Sequence, residues 1–182
     1  AGLTRALLAA GQGELLSQVV AHALAGPERY PLTAAHVSAL TALGPWLEKN
    51  VKKPSPAVSH WLDWCREQLE GLTAEEPQPP ADFRRAAPVS CKCADCAELK
   101  RFLEDAQEKV HRFRAAEARR RHLEERIRGG SCDLDLRTER TGSPHTLVCT
   151  KNTASYKARL GMFHQDREHL AAIRSIEASV PQ

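Results

Sequence analysis

The amino-acid sequence predicts a mainly α-helical protein whose C-terminal half contains a small α+β module. Apolar residues recur at the helical period through the first 72 residues, and a Pro-rich stretch follows. Three of the six cysteines then lie within residues 91–96. These observations divide the chain into a helical-hairpin array at 1–72, a Pro-rich linker at 73–90 and a Cys-rich module at 91–182.

The helical-hairpin array contains about four or five amphipathic segments separated by Gly and Pro. Gly11, Gly13 and the Gly26-Pro27 pair interrupt the apolar pattern, whereas Thr33 and the Ser55-Pro56 pair are start signals for later helices. Short connections between helices favour antiparallel packing. We therefore expect antiparallel hairpins, either in a plain bundle or in a solenoid-like helical repeat.

The Cys-rich module is predicted to contain two helices, one β-hairpin and a C-terminal helix from about residue 153 to residue 178. Apolar residues recur at helical spacing at 99–106 and at 115–127. Alternating apolar and polar residues at 132–140 and β-forming residues at 146–150 stand on either side of a Gly-Ser-Pro turn. This hairpin is the only sheet that the sequence predicts.

The cysteines at C-x-C-x2-C spacing, Cys91, Cys93 and Cys96, predict a small metal site. Thiolates two or three residues apart can turn back on one tetrahedral cation, and zinc knuckles occur between a loop and a helix in this way. Two alternatives stay open. The residues could be three reduced thiols without a ligand, or two of them could form a strained disulfide.

The predicted fourth ligand is His122, which shares a helical face with apolar residues directed toward the core. Cys149 on the predicted hairpin is the main alternative and Cys132 the next, and His122 could instead be a buried histidine that binds nothing. A Cys3His set leaves no open coordination position, so we expect structural Zn rather than a catalytic metal. The sequence contains no H-E-x-x-H, G-x-G-x-x-G or Walker A motif. We therefore predict a non-enzymatic chain, with any catalytic domain outside it.

A basic segment at 109–128 is predicted to be helical and to face solvent. Residues 84–130 carry 13 basic and 8 acidic side chains. Such a helix could contact phosphates of nucleic acid without sequence preference, through Arg112, Arg119, Arg120 and Arg126. Interspersed glutamates favour the alternative of a solvated helix with internal salt bridges, so nucleic acid is the less favoured partner.

The favoured partner is a protein or an adjacent domain, anchored by Trp46 and Trp64, because Trp is enriched where interfaces concentrate binding energy. No apolar run approaches the roughly 20 residues that span a membrane. Clustered cysteines favour a reducing, cytoplasmic location inside the cell. The chain begins at Ala1 within a helical pattern, so we expect it to be part of a larger protein.

Part of the chain resembles the Cys-rich C-terminal region of some fungal and bacterial proteins assigned to the 2-oxoglutarate/Fe(II) oxygenases of the prolyl-hydroxylase type. The likeness covers residues 82–151. It is carried by Cys91, Cys93, Asp95, Cys96, Leu99, Phe102, Leu103, Arg120, His122 and Leu123, and by the segments 138–140, 142–144 and 147–151. The oxygenase fold itself is a double-stranded β-helix, which these elements do not form, so the resemblance implies an accessory module without the activity.

The sequence thus predicts a zinc-stabilised interaction or regulatory module. The alternatives are a nucleic-acid-binding module using the basic helix, and an accessory fragment of an oxygenase-type enzyme.

Overall fold

The structure is a computed structural model that describes residues 1–51 and 55–180. It is 60% helical, in agreement with the predicted fold class. A six-residue π-helical turn, Leu32–Val37, precedes the third helix. Within the described residues the helices are α1 (Gly2–Ala9), α2 (Gly13–Leu24), α3 (Ser38–Asn50), α4 (Pro56–Leu72), α5 (Ala94–Glu104), α6 (Glu117–Gly129) and α7 (Ala154–Ser179), and the strands are β1 (Val110–Arg114), β2 (Leu134–Glu139) and β3 (Thr146–Lys151).

The chain divides into two compact units. The first combines Ala1–Glu76 with the chain from Leu160 onward, and the second is Pro77–Arg159. The predicted module at 91–182 is therefore too long at its C-terminal end. Leu170, Ile173 and Ile176 of α7 belong to the core of the first unit, because their apolar side chains are buried there.

The first unit is a helical assembly with an aliphatic core. A Cβ atom at Gly44 would lie 3.0 Å from Cγ1 of Ile176, so α3 and α7 approach each other closely at this glycine. The largest fully buried aliphatic side chains of this unit are Leu16, Leu40, Leu43, Leu47, Leu69 and Ile173.

His36 is buried in the same core by the π-helical turn. Trp61 donates a hydrogen bond of 2.9 Å from Nε1 to Nδ1 of His36, and the ring of Trp64 lies 4.9 Å from the imidazole, centroid to centroid. Burial lowers the pKa of His36, and a backbone hydrogen bond at Tyr30 offsets part of this effect. Protonation of His36 therefore opposes folding of the first unit.

The second unit contains a three-stranded antiparallel sheet in the order β1-β3-β2. The predicted hairpin is confirmed as β2 and β3, and β1 is an additional strand. Leu147 and Cys149 of β3 and Phe113 of β1 are buried together with apolar residues of α5 and α6. The sheet therefore forms one side of a small core. Its other buried members are Leu99, Phe102, Leu103, Leu123 and Ile127.

The predicted basic helix at 109–128 is wrong in its first part, because residues 110–114 form β1 and α6 begins only at Glu117. Burial along β1 explains the difference. Phe113 is inside the core, whereas Arg112 and Arg114 on either side of it are exposed. This alternation fits a strand with one buried face and not a helix.

Most of the predicted linker at 73–90 is built into the second unit. The backbone N–H of Arg85 donates to the Leu103 carbonyl at 2.8 Å, and the Arg85 Nε donates to the Asn152 carbonyl at 2.6 Å. Ala87 and Val89 pack against the second core. These contacts satisfy backbone and side-chain polar groups, so the segment covers part of the second core.

Candidate metal centre

The three clustered cysteines lie at the beginning of α5. Cys91 and Cys93 precede the helix, with Cys93 in extended backbone, and Cys96 lies in the first helical turn. Cys93 is the N-cap residue, and its carbonyl accepts a hydrogen bond of 2.9 Å from the backbone N–H of Ala97. The transition from extended chain to helix turns the thiols of all three residues toward one point.

His122, in the middle of α6, meets the three thiols at that point. Its Nε2 atom lies 3.5 Å from Sγ of Cys91, 3.6 Å from Sγ of Cys93 and 3.3 Å from Sγ of Cys96. The four ligand atoms all lie within 4.8 Å of one another. Cys96 is buried, Cys91 and His122 are half-buried, and Cys93 is exposed. This group could hold a metal ion.

Hydrogen bonding alone does not account for this arrangement. The Nε2 atom of an imidazole offers either one proton or one lone pair, so it can satisfy one thiol at a time. Here three sulfur atoms converge on the same nitrogen at similar distances. Four ligand atoms around a shared centre give the geometry of a cation site.

The thiols differ in how readily they ionise without a cation. A hydrogen bond from the Cys93 backbone lowers the pKa of Cys91, helped by the neighbouring thiols and by the charge of Arg126. Burial raises the pKa of Cys96 to about 12, and the nearby sulfurs add to this effect. Cys96 is therefore a neutral thiol near pH 7 unless a cation stabilises its thiolate.

An ion pair between Asp95 and Arg119 joins α5 to α6 beside the group, with Nε of Arg119 2.7 Å from the carboxylate. The Arg119 guanidinium lowers the pKa of Asp95, and His122 contributes in the same direction. Arg119 and Arg126 thus place positive charge next to the sulfurs. Three thiolates and one divalent cation would carry one net negative charge. Because Asp95 already neutralises Arg119, Arg126 is the arginine that would offset this charge.

Neither alternative fourth ligand belongs to the group. Cys149 is fully buried in the apolar core of the second unit, where burial raises its pKa to about 12. Cys132 is half-buried and packs against the same core. The structure therefore brings His122, and not these cysteines, to the three clustered thiols.

The four arginines predicted to contact nucleic acid do not share one helical face. Arg112 lies on β1, where it pairs with Glu139. Arg120 is buried and donates to the Ala115 carbonyl at 2.6 Å, whereas Arg119 and Arg126 lie near the thiols. A continuous basic stripe along one helix is therefore not formed by these residues.

The predicted anchors Trp46 and Trp64 are half-buried and pack against the core of the first unit. Trp61 is almost completely buried. In the part of the chain that the structure describes, the exposed large apolar side chains are Leu3, Leu15, Leu72, Val110 and Met162.

His111 has surroundings that the sequence did not indicate. Its Nδ1 lies 2.6 Å from a carboxylate oxygen of Glu108 and its Nε2 lies 2.9 Å from one of Glu98. The ring also contacts Phe102 and Phe113. Strand alternation in the segment could have revealed this inward position, because His111 and Phe113 are two residues apart.

Within residues 1–51 and 55–180, no helix combines the length and the apolar character needed to cross a membrane. Comparisons with protein-family models, with curated proteins and with solved structures find no match to this chain.

Proposed function

We propose that Cys91, Cys93, Cys96 and His122 bind one Zn²⁺ ion in a closed structural site. The observation that supports this most directly is the set of three sulfur–nitrogen distances. Tetrahedral zinc with Zn–S bonds of about 2.3 Å and a Zn–N bond of about 2.0–2.1 Å places each sulfur about 3.5–3.6 Å from the nitrogen. The distances here are 3.3–3.6 Å.

The ligand types also favour zinc over other common cations. Magnesium and calcium prefer oxygen ligands, whereas three thiolates and one imidazole in tetrahedral geometry are typical of structural zinc. All four positions are filled by protein side chains, so the ion would stabilise the fold and would have no position for a substrate. Its chemical contribution would be to join the start of α5 to the middle of α6.

This bond between helices matters because the second unit is small. Its core cluster has eight buried residues, and small modules often need a metal in addition to such a core. We infer that the module serves as an interaction or regulatory element of a larger protein, with a protein or an adjacent domain as its partner. A closed metal site on a compact scaffold supports this role, because it would hold the surface of the module in one shape for a partner to bind.

The metal assignment can be tested on the full chain purified without chelator. We expect one zinc per chain by elemental analysis, and Co²⁺ in its place should give the visible spectrum of tetrahedral thiolate ligation. His122→Ala should lose most of the metal. His60→Ala is the matched control, because His60 is exposed on α4 of the other unit.

Full zinc content in His122→Ala would exclude His122 as a ligand. A wild-type chain that contains no zinc, and takes up none when the ion is added with its thiols reduced, would refute the proposed site altogether.

A further inference from the structure

A second feature of the Pro77–Arg159 unit is a cleft of about 560 Å³ between α6 and the end of β2. Four arginines and three glutamates line it, together with Thr138 and His145. Nδ1 of His145 donates to the Gly142 carbonyl at 2.9 Å, which fixes the ring at the edge of the cleft. The metal site does not use any of these side chains.

The cleft and the metal site lie on different faces of α6. Residues three or four positions apart share a helical face. Arg119, His122 and Arg126 form the face near the thiols. Arg120, Glu124 and Arg128 line the cleft instead. A ligand in the cleft would therefore not compete with the four metal ligands.

Ion pairs along α6 neutralise part of the charge in the cleft. Arg121 pairs with Glu125 at 3.2 Å, and Arg128 pairs with Glu124 at 3.7 Å. The remaining charged side chains of the lining are Arg120, Arg140 and Glu117. Among the described residues, Arg140 makes no hydrogen bond or ion pair. The unpaired charge that remains in the cleft is thus positive.

The burial of Arg120 gives a second, independent reason to expect an anion in the cleft, in addition to its net positive charge. Only 8% of this residue is exposed, and its Nη1 atom donates to the Ala115 carbonyl at 2.6 Å. Within the part of the chain that the structure covers, no carboxylate is close enough to pair with it. A buried guanidinium that has only carbonyl partners retains an uncompensated charge, which is costly inside a protein. An anion in the cleft would compensate this charge.

We propose that this cleft binds the phosphate group of a small molecule, with Arg120 at its base and Arg140 at its rim. Guanidinium groups match the geometry of phosphate oxygens, and two of them complement a doubly charged group better than a single carboxylate. The hydroxyl of Thr138 is a further donor in the lining. Because the cleft is far larger than a phosphate ion, the remaining volume would hold the rest of the ligand.

The test uses the full chain with its metal, titrated with inorganic phosphate at constant ionic strength and followed by NMR. Saturable shifts are expected at amides of α6 and of the end of β2. Arg140→Gln should weaken binding about tenfold, because it removes one charge-assisted contact. This variant leaves the fold intact, since Arg140 has no partner among the described residues.

Arg101→Gln is the matched control and should bind phosphate as the wild type does, because Arg101 is an exposed arginine of α5 outside the cleft. An acetate titration distinguishes phosphate from a carboxylate and should give weaker binding. The proposal is overturned if phosphate gives no saturable shifts, if acetate binds equally well, or if both arginine variants lose the same affinity. Zinc content is measured on the same samples, so that a failure to bind phosphate can be distinguished from a failure to bind zinc.

Discussion

Replacing Cys96 and Cys149 separately by alanine tests whether the metal group holds the second unit together. Both cysteines are fully buried in that unit, and burial raises the pKa of both thiols to about 12. Each substitution therefore removes a sulfur atom from a position that is equally buried. The difference is in the neighbours. Sγ of Cys96 lies 3.3 Å from His122 Nε2, whereas Cys149 is surrounded by apolar side chains.

The expected magnitudes differ strongly. Removing the Cys149 sulfur costs about 1–2 kcal/mol, as for the loss of a small buried group and the cavity that it leaves. Removing Cys96 also removes one of the four proposed zinc ligands. Binding of structural zinc contributes about 10–16 kcal/mol to folding, and a variant that no longer holds the ion loses that whole contribution. Because a domain is stable by only about 5–15 kcal/mol, Cys96→Ala should unfold most of the second unit.

The assay is amide hydrogen exchange on the zinc-loaded full chain, with zinc content measured on the same samples. Cys149→Ala should keep one zinc per chain and most of its protection in α6 and β3. Cys96→Ala should lose both zinc and protection there, while α3 and α4 of the first unit stay protected. Equal losses in the two variants, or retention of zinc by Cys96→Ala, would refute the argument.

Three further outcomes are expected. The stability of the first unit should fall as pH decreases below about 6.5, by at most about 1.4 kcal/mol per pH unit. The reason is that the pKa of His36 is lowered in the folded chain, so the unfolded chain binds the proton more readily. His36→Gln should reduce this pH dependence in acid titrations followed by circular dichroism. Gly44→Val should lower the free energy of unfolding by about 1–3 kcal/mol, because the added side chain would overpack the contact with Ile176. Gly71→Val should be close to neutral, because there is open space where its Cβ would lie. Equal midpoints for the two variants in thermal unfolding would contradict this. Arg119→Gln should leave zinc content unchanged and lower the free energy of unfolding by only about 0.2–1 kcal/mol, because the arginine side of its ion pair with Asp95 is largely exposed. Loss of zinc in this variant would show that the ion pair is needed to position the ligands.

Local sequence was sufficient for the features that depend on neighbouring residues. The spacing of Cys91, Cys93 and Cys96 predicted a group of thiols at a helix start, and the structure has that arrangement. The periodicity around His122 correctly placed it on a helix with an inward face. The β2–β3 hairpin was also predictable, because residues 132–140 alternate in polarity, residues 146–150 are β-forming, and a Gly-Ser-Pro turn lies between them.

Features that depend on distant residues could not be predicted in this way. Strand β1 is short and rich in arginine, so it looked like the start of the basic helix that follows it. It is a strand because it pairs with β3, with Arg112 opposite Val148 far along the chain. Pairing over such a separation is set by the topology and by burial of one face, and local propensity does not encode either.

The sequence by itself determined the helical character of the chain, the three-cysteine run and the candidate status of His122, because periodicity and spacing are local properties of a polypeptide. Only the tertiary structure decided that His122, and not Cys149, meets the thiols, that the end of α7 completes the core of the first unit, and that Arg120 is buried beside a cleft. These facts depend on which surfaces pack together. The packing arrangement depends on the apolar area that is buried over the whole chain, and the sequence of a short segment does not determine it.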